Sequence, residues 1–305
     1  IEELGRAASV IGAVNTALEV VTREALGTKR PHPVALRGMA KVASEVEKGQ
    51  HSVMTTHREG RPDDHMKVGV VGVGARCRLA LNAELKGNEG VVTAACEPHH
   101  LARKRVAERL GKDPDSITIT SDVTGLIASG IDVAFVTSPD DTHAEITCQL
   151  LEAGIPVYLE KPLAITVTSA TRVLTTAFET GTKLYVGHNM RHMNVVRSMR
   201  DLIRTGRIGE VKAIWCRHFV GSGGDFYFKD WHATREHGTG LLLQKAAHDI
   251  DVMHWFADSH TTDVVGMGGL TLYDQVTDRR DNSDQLMGDW FSLDNWPPLT
   301  QKGLN

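Results

Sequence analysis

The sequence predicts an α/β fold: a doubly wound parallel sheet, preceded by a helical extension and followed by an incomplete α+β region. Three observations carry this. From Met66 onward, short apolar runs rich in β-branched residues alternate with segments of helical spacing, the pattern of parallel strands joined by crossover helices. A glycine-rich turn directly follows the first of those runs. Beyond residue 187 the alternation gives way to longer helices and isolated strand-like stretches.

The first 65 residues read as an extension and linker with no assigned role. Val10, Val14, Leu18 and Val21 form one stripe of a helix over 7–25, Pro31 and Pro33 end it, and a second short helix is expected over 34–48. Residues 57–65 (HREGRPDDH) have linker composition. The sheet is expected from the runs 67–72, 91–96, 131–137, 155–159 and 183–187, each short and apolar enough for a buried strand. Between them, 101–110, 141–153 and 166–180 carry helical spacing. In the last, Val167, Ala170, Leu174 and Ala177 share a face and Gly181 stops the helix. Residues 66–187 thus make one doubly wound domain, and 188–305 a partial α+β domain. The latter holds helices over 194–204 and 241–257 and strands over 211–219 and 263–272.

With 305 residues the chain is long enough for about two domains and a core without staples. Its 34 Lys+Arg against 38 Asp+Glu give a net charge of −4, so no positive field points to nucleic acid or anionic membrane. No apolar run reaches membrane-span length, and Glu2, Glu3 and Arg6 do not read as a signal peptide. Cys77, Cys96, Cys148 and Cys216 form no paired motif, which fits reduced thiols and a cytoplasmic setting.

The chemistry begins at KVGVVGVGARCRLA, where Gly72, Gly74 and Cys77 occupy the three positions of a G-x-G-x-x-G turn between strand and helix. Gly72 permits the tight turn, and Gly74 lets the backbone approach a pyrophosphate held at the following helix start, with Ala75 and Arg76 beside it. Cys77 replaces the third glycine, where close packing is needed. Glu97 ends the second strand 25 residues after Gly72, near the spacing of about 20 for a ribose-binding acid. A carboxylate there favours NAD, with NADP kept as the alternative because His99, His100 and Arg103 follow, although these also read as solvated residues.

The chain resembles the Gfo/Idh/MocA family of nicotinamide-dependent oxidoreductases over roughly 66–272. The resemblance rests on GVGARCRLA, SPDDTHAEI at 138–146, Glu160-Lys161-Pro162, HNMRHMN at 188–194 and GLLLQKAAHDID at 240–251. It implies a Rossmann fold and hydride transfer between a nicotinamide cofactor and a secondary alcohol of a sugar or polyol. It also implies that Lys161 moves the hydroxyl proton, helped by His248. A lysine at the carboxyl end of a parallel strand also faces the ligand crevice on physical grounds, though a surface pair with Glu160 is the other reading.

Gln244, His248, Asp251 and Trp255 share one stripe of the 241–257 helix, while Leu243, Ala247, Ile250 and Ala257 are expected to face the core. Gln244 stands where the family commonly has an aspartate; an amide holds no negative charge, so it is expected to join Lys161 and His248 in the catalytic site by orienting substrate through hydrogen bonds, without raising the basicity of His248. Pro139, His143, Glu160 and Asn189 are expected to border the cofactor, and Arg191, Trp231, His232 and Asp251 the substrate, although Trp231 and His232 also read as core. His188 and His192 are spaced four apart, but no third ligand is arranged with them, so no metal is expected.

The family's second domain is a large open sheet, of which this chain carries two candidate strands, so it is expected to be truncated at its C terminus. A homo-oligomer formed through that sheet face is the expected assembly. A catalytically impaired nucleotide-binding module or ligand sensor is the alternative function.

Overall fold

The computed structural model describes residues 65–270 apart from 86–89, 221–226, 229–230 and 239. The expected helices over 7–25 and 34–48 and the tail after Tyr273 lie outside the described residues.

Six parallel strands form one sheet in the order β3-β2-β1-β4-β5-β6. They are β1 (Met66–Val71), β2 (Gly90–Cys96), β3 (Thr118–Thr120), β4 (Val133–Val136), β5 (Val157–Leu159) and β6 (Leu184–Val186). This order reverses between β1 and β4, and ligands bind at the carboxyl ends of the strands flanking such a switch point. Five strands match the apolar runs. The sixth, β3, is a short polar segment at the sheet edge that pairs with Ala94–Cys96 of β2.

Helices cover both faces, as a parallel sheet requires. On one side α3 (Val123–Ala128), α4 (His143–Glu152) and α5 (Val167–Thr180) bury Leu126, Leu150, Leu151, Val173 and Leu174 against Ala134, Val136, Val157 and Leu159. Asp122 and Thr166 cap α3 and α5 by accepting from the amides of Gly125 (2.7 Å) and Ser169 (3.1 Å), and Gly181 ends α5 at φ 66°. On the other side α2 (Val106–Leu110), reached through the short α1 (His100–Arg103), and a 3-10 helix, Cys77–Glu84, cover Val68, Val70 and Val92. The expected helix over 101–110 is therefore two, parted at Lys104 and Arg105, where Arg105 leaves helical geometry at φ −107°, ψ 5°. The segment after the glycine turn winds more tightly than the expected α-helix, with Leu79 N bonding Arg76 O at 3.0 Å.

After β6 come α6 (Asn194–Arg204), a π-turn over Leu242–Ala246 and α7 (Ala247–Ala257). Two expectations are corrected here. The stretches 211–219 and 263–270 form no strands, because neither finds a backbone partner among the described residues. The core face of the last helix also differs: Ile250 is 41% exposed, whereas Val252 and Phe256 are buried with Val196 of α6. The π-turn inserts an extra residue into the winding and rotates the face that a uniform 3.6-residue period places inward.

Candidate active site

A cavity of about 1030 Å³ runs along the carboxyl ends of β1, β2, β4 and β5. From β2 to β5 is three strand spacings, about 14 Å, so Glu97 and Lys161 stand well apart within one cleft. Gly72, Gly74, Ala75, Arg76, Glu97, Pro139, His143, Glu160, Lys161, Asn189, Trp231, His232, Gln244 and His248 all line it.

At the glycine turn, Gly72 adopts φ +81°, and a Cβ there would lie 2.5 Å from Ser138 Cα. Only glycine fits. A Cβ on Gly74 would meet nothing within 4 Å, which leaves open space for a ligand beside the backbone. Thr137 Oγ1 donates to Gly72 O at 2.7 Å and fixes the turn from β4. Glu97 fixes it from β2: its carboxylate accepts from Val73 N and His99 N, each at 3.0 Å. That anchoring role was missed in the sequence. Arg103 donates to the carbonyls of Glu97 (3.3 Å) and Pro98 (3.4 Å), so its guanidinium bonds the backbone that carries Glu97.

Arg76 reaches across to β5 and donates to Glu160 Oε1 through Nη2 (2.8 Å) and Nε (3.2 Å), and Glu160 Oε2 accepts from Lys161 N at 3.0 Å. Pro162 follows through a cis peptide bond. His143 is buried, with Nδ1 2.7 Å from Pro162 O and Nε2 3.0 Å from Ser138 O. Burial pushes its pKa down, so the neutral ring carries one N–H between two carbonyls. His143 therefore ties two loops together in the wall of the cleft, with both ring nitrogens engaged by backbone carbonyls.

The far end holds the titratable cluster. Lys161 Nζ donates to Gln244 O (2.9 Å) and Gln244 Oε1 (3.2 Å). Gln244 Nε2 in turn donates to Asp140 Oδ2. Burial lowers the pKa of the Lys161 ammonium, opposed by the charges of Asp140 and Glu160. Burial raises Asp140 to about 7, opposed by Lys161. His248 falls to about 4 through burial and the nearby Lys161, so it is a neutral imidazole at pH 7. Its buried Nδ1 has no hydrogen-bond partner among the described residues. Trp231 and His232 stack at 3.4 Å between ring centroids, with Tyr227 edge-on to His232 at 5.5 Å.

Two residues expected to touch substrate are placed elsewhere. Arg191 and Asp251 bond each other through two 2.7 Å contacts and do not line the cavity; Arg191 also lies 5.4 Å from the centroid of the Trp255 ring. Their planar, bidentate pairing consumes both charges and braces α7 against the Asn189–His192 turn. His188 and His192 diverge, since His192 Nε2 is 2.7 Å from Tyr185 Oη while His188 lies 3.8 Å from Asp251. Among the described residues no group of three His, Cys, Asp or Glu is placed to hold a metal ion.

The strand order, the glycine turn and the acid ending β2 define a dinucleotide-binding Rossmann domain, and its residues fit the cofactor: Gly74 leaves a cradle and His248 an unpaired buried nitrogen. Residues 66–188 match the model of the oxidoreductase family with an NAD-binding Rossmann fold, and 196–288 match the GFO/IDH/MocA C-terminal domain. The chain belongs to the Gfo/Idh/MocA family.

It is 30% identical over 219 residues to a myo-inositol dehydrogenase from Streptomyces leeuwenhoekii, covering 67% of this chain and 65% of that protein. It is 29% identical over 205 residues to an inositol 2-dehydrogenase from Azotobacter vinelandii, covering 64% and 55%. The fold is similar to that of a scyllo-inositol dehydrogenase from Lactobacillus casei solved with NAD(H) and scyllo-inositol, at TM-score 0.54 and 24% identity over 64% of this chain and 57% of that one. The chain spans between 33% and 65% of the length of such curated relatives. No helix among the described residues is long and apolar enough to cross a membrane.

Proposed function

We propose that this protein is an NAD-dependent dehydrogenase that oxidises a secondary alcohol of a cyclic polyol or sugar, or runs the reverse reduction. The observation that carries this is the meeting of Lys161, Gln244 and His248 in the same cleft as the glycine turn and Glu97, at its opposite end. The inositol dehydrogenases among its relatives support the choice of a polyol.

NAD, when bound, supplies the hydride acceptor. Gly72, Gly74, Ala75 and Arg76 would hold its pyrophosphate, and Glu97 would accept from the adenosine ribose and repel a 2′-phosphate. Lys161, made less basic by burial, takes the hydroxyl proton at Nζ, while neutral His248 accepts from or orients the same hydroxyl. Trp231 and His232 offer aromatic faces to the ring of the substrate. We assign residues 66–187 to the cofactor domain and 188–305 to the substrate domain. The free thiols Cys77, Cys96, Cys148 and Cys216 support a cytoplasmic setting. The largely exposed Trp215, Phe219, Val264, Val265 and Met267 support a homo-oligomer.

The test is NAD titration by fluorescence or calorimetry together with turnover on an inositol and sugar panel. Saturable NAD binding and turnover are expected, and Lys161→Ala loses turnover while keeping NAD binding. Binding without turnover on any member of the panel overturns the proposal in favour of a nucleotide-binding sensor.

A further inference from the structure

Gln244, on the π-turn that leads into α7, is uncharged and bonds Lys161, yet the site holds a buried carboxylate. Asp140, which opens the turn Asp140–Thr142 at the end of β4, is 5% exposed and lies across the cleft. The Gln244 amide is oriented by its two neighbours: its NH₂ faces the Asp140 carboxylate and its oxygen faces the Lys161 ammonium. A flipped amide would oppose both charges. Of the other nearby acids, Glu160 is engaged by Arg76 and by Lys161 N, and Asp141 meets His237 Nδ1 at 3.0 Å through Oδ2 alone.

We propose that Asp140 is the positioning carboxylate of the site, acting through the Gln244 amide to hold Lys161 Nζ in place and to offset the charge it gains with a proton. The role rests on the dehydrogenase reading above. In the oxidation direction the substrate C–H bond breaks and its electron pair goes, as hydride, to the nicotinamide. The O–H proton passes to the neutral Lys161 amine as C=O forms, and the resulting ammonium later releases that proton to water. Asp140 lowers the cost of the ammonium stage without itself touching substrate.

The charged and titratable groups facing this pair are Asp141 on the same turn, Glu160 beside Lys161, Lys245 on the π-turn, Arg76 from the glycine loop and the imidazoles of His143, His188, His232 and His248. All are retained in the variants that test the role. In the full chain without cofactor, the pH midpoint for acetylation of Lys161 is read by mass spectrometry for wild type, Asp140→Asn and the double variant Asp140→Asn/Gln244→Asp. Asp140→Asn should lower the midpoint by about one pH unit. The double variant, which moves the carboxylate onto α7's side, should restore it. In turnover, Asp140→Asn should lower kcat about tenfold or more with KM for NAD unchanged, a split that a purely structural role would not give. Should Asp140→Asn fail to fold, Gln244→Met cuts the same bridge and must move the midpoint in the same direction. An unchanged midpoint overturns the proposal. A lowered midpoint in a protein with no turnover at all leaves the Asp140–Lys161 link standing and overturns the dehydrogenase reading.

Discussion

Arg76 and Glu160, 84 residues apart in sequence, meet at 2.8 Å and join the glycine turn to the strand end that bears Lys161. Arg76 is half exposed while Glu160 is buried, so the pair contributes little Coulombic stability but fixes the arginine's direction. Arg76→Met is expected to lower unfolding stability by about 1 kcal/mol or less. It should raise the KM for NAD severalfold, because the turn loses its tie to β5. Equilibrium urea unfolding and initial-rate kinetics check the two effects separately.

Glu97 holds the glycine turn through Val73 N and, on the proposed reading, also meets the ribose of NAD. Glu97→Ala strips the partner from the buried amide of Val73, a loss of about 1–3 kcal/mol in stability, and weakens NAD binding about tenfold. The same change removes the repulsion of a 2′-phosphate, so the ratio of Kd for NADP to Kd for NAD should fall. An unaltered ratio would separate Glu97 from cofactor choice.

The two turn glycines should part company. Gly72→Ala forces a Cβ against Ser138 at a left-handed φ and should destabilise the fold by at least 1–2 kcal/mol, roughly the backbone penalty alone. Gly74→Ala meets no protein atom, so its melting temperature should hold while Kd for NAD rises about tenfold. Thermal melts alongside calorimetric titration give both readings.

Acid should unfold the protein through its buried imidazoles. Burial depresses His232 to about 3 and His248 to about 4, below the ordinary 6.5, so the unfolded chain binds more protons across that interval. Their contribution is present above 6.5 and is lost as pH falls toward 4 and 3. Asp140 acts oppositely: raised to about 7, it favours the fold below its ordinary 3.8, and that contribution is lost as pH rises through 7. Urea midpoints should therefore fall from pH 6.5 to 4, and His232→Asn should flatten that slope.

The parts of the fold that the sequence made plain are those whose signal is local. The β-branched runs of β1 and β2 and the Gly181 stop of α5 declare themselves within a few residues. The Thr118–Thr120 strand does not, because three partly polar residues at an edge have no pattern of their own and exist as a strand only through pairing with β2. The face of α7 was misjudged because a π-turn is invisible to a fixed period. Within the cleft, the placement of Gly72, Gly74 and Lys161 was legible from the strand ends they follow. Asp140 was not, since its relation to Gln244 spans 104 residues and exists only once β4 and the π-turn close on each other.

The buried ring of His143 has a further mechanical meaning. Ser138 and Pro162 leave adjacent strands, and a rigid five-membered ring sets the gap between them. The width of one imidazole thus acts as a gauge block for the cleft: the floor beneath a bound ligand and the root of Lys161 cannot drift apart independently. A smaller side chain at 143 would loosen that tolerance and degrade turnover without removing any group that meets the substrate.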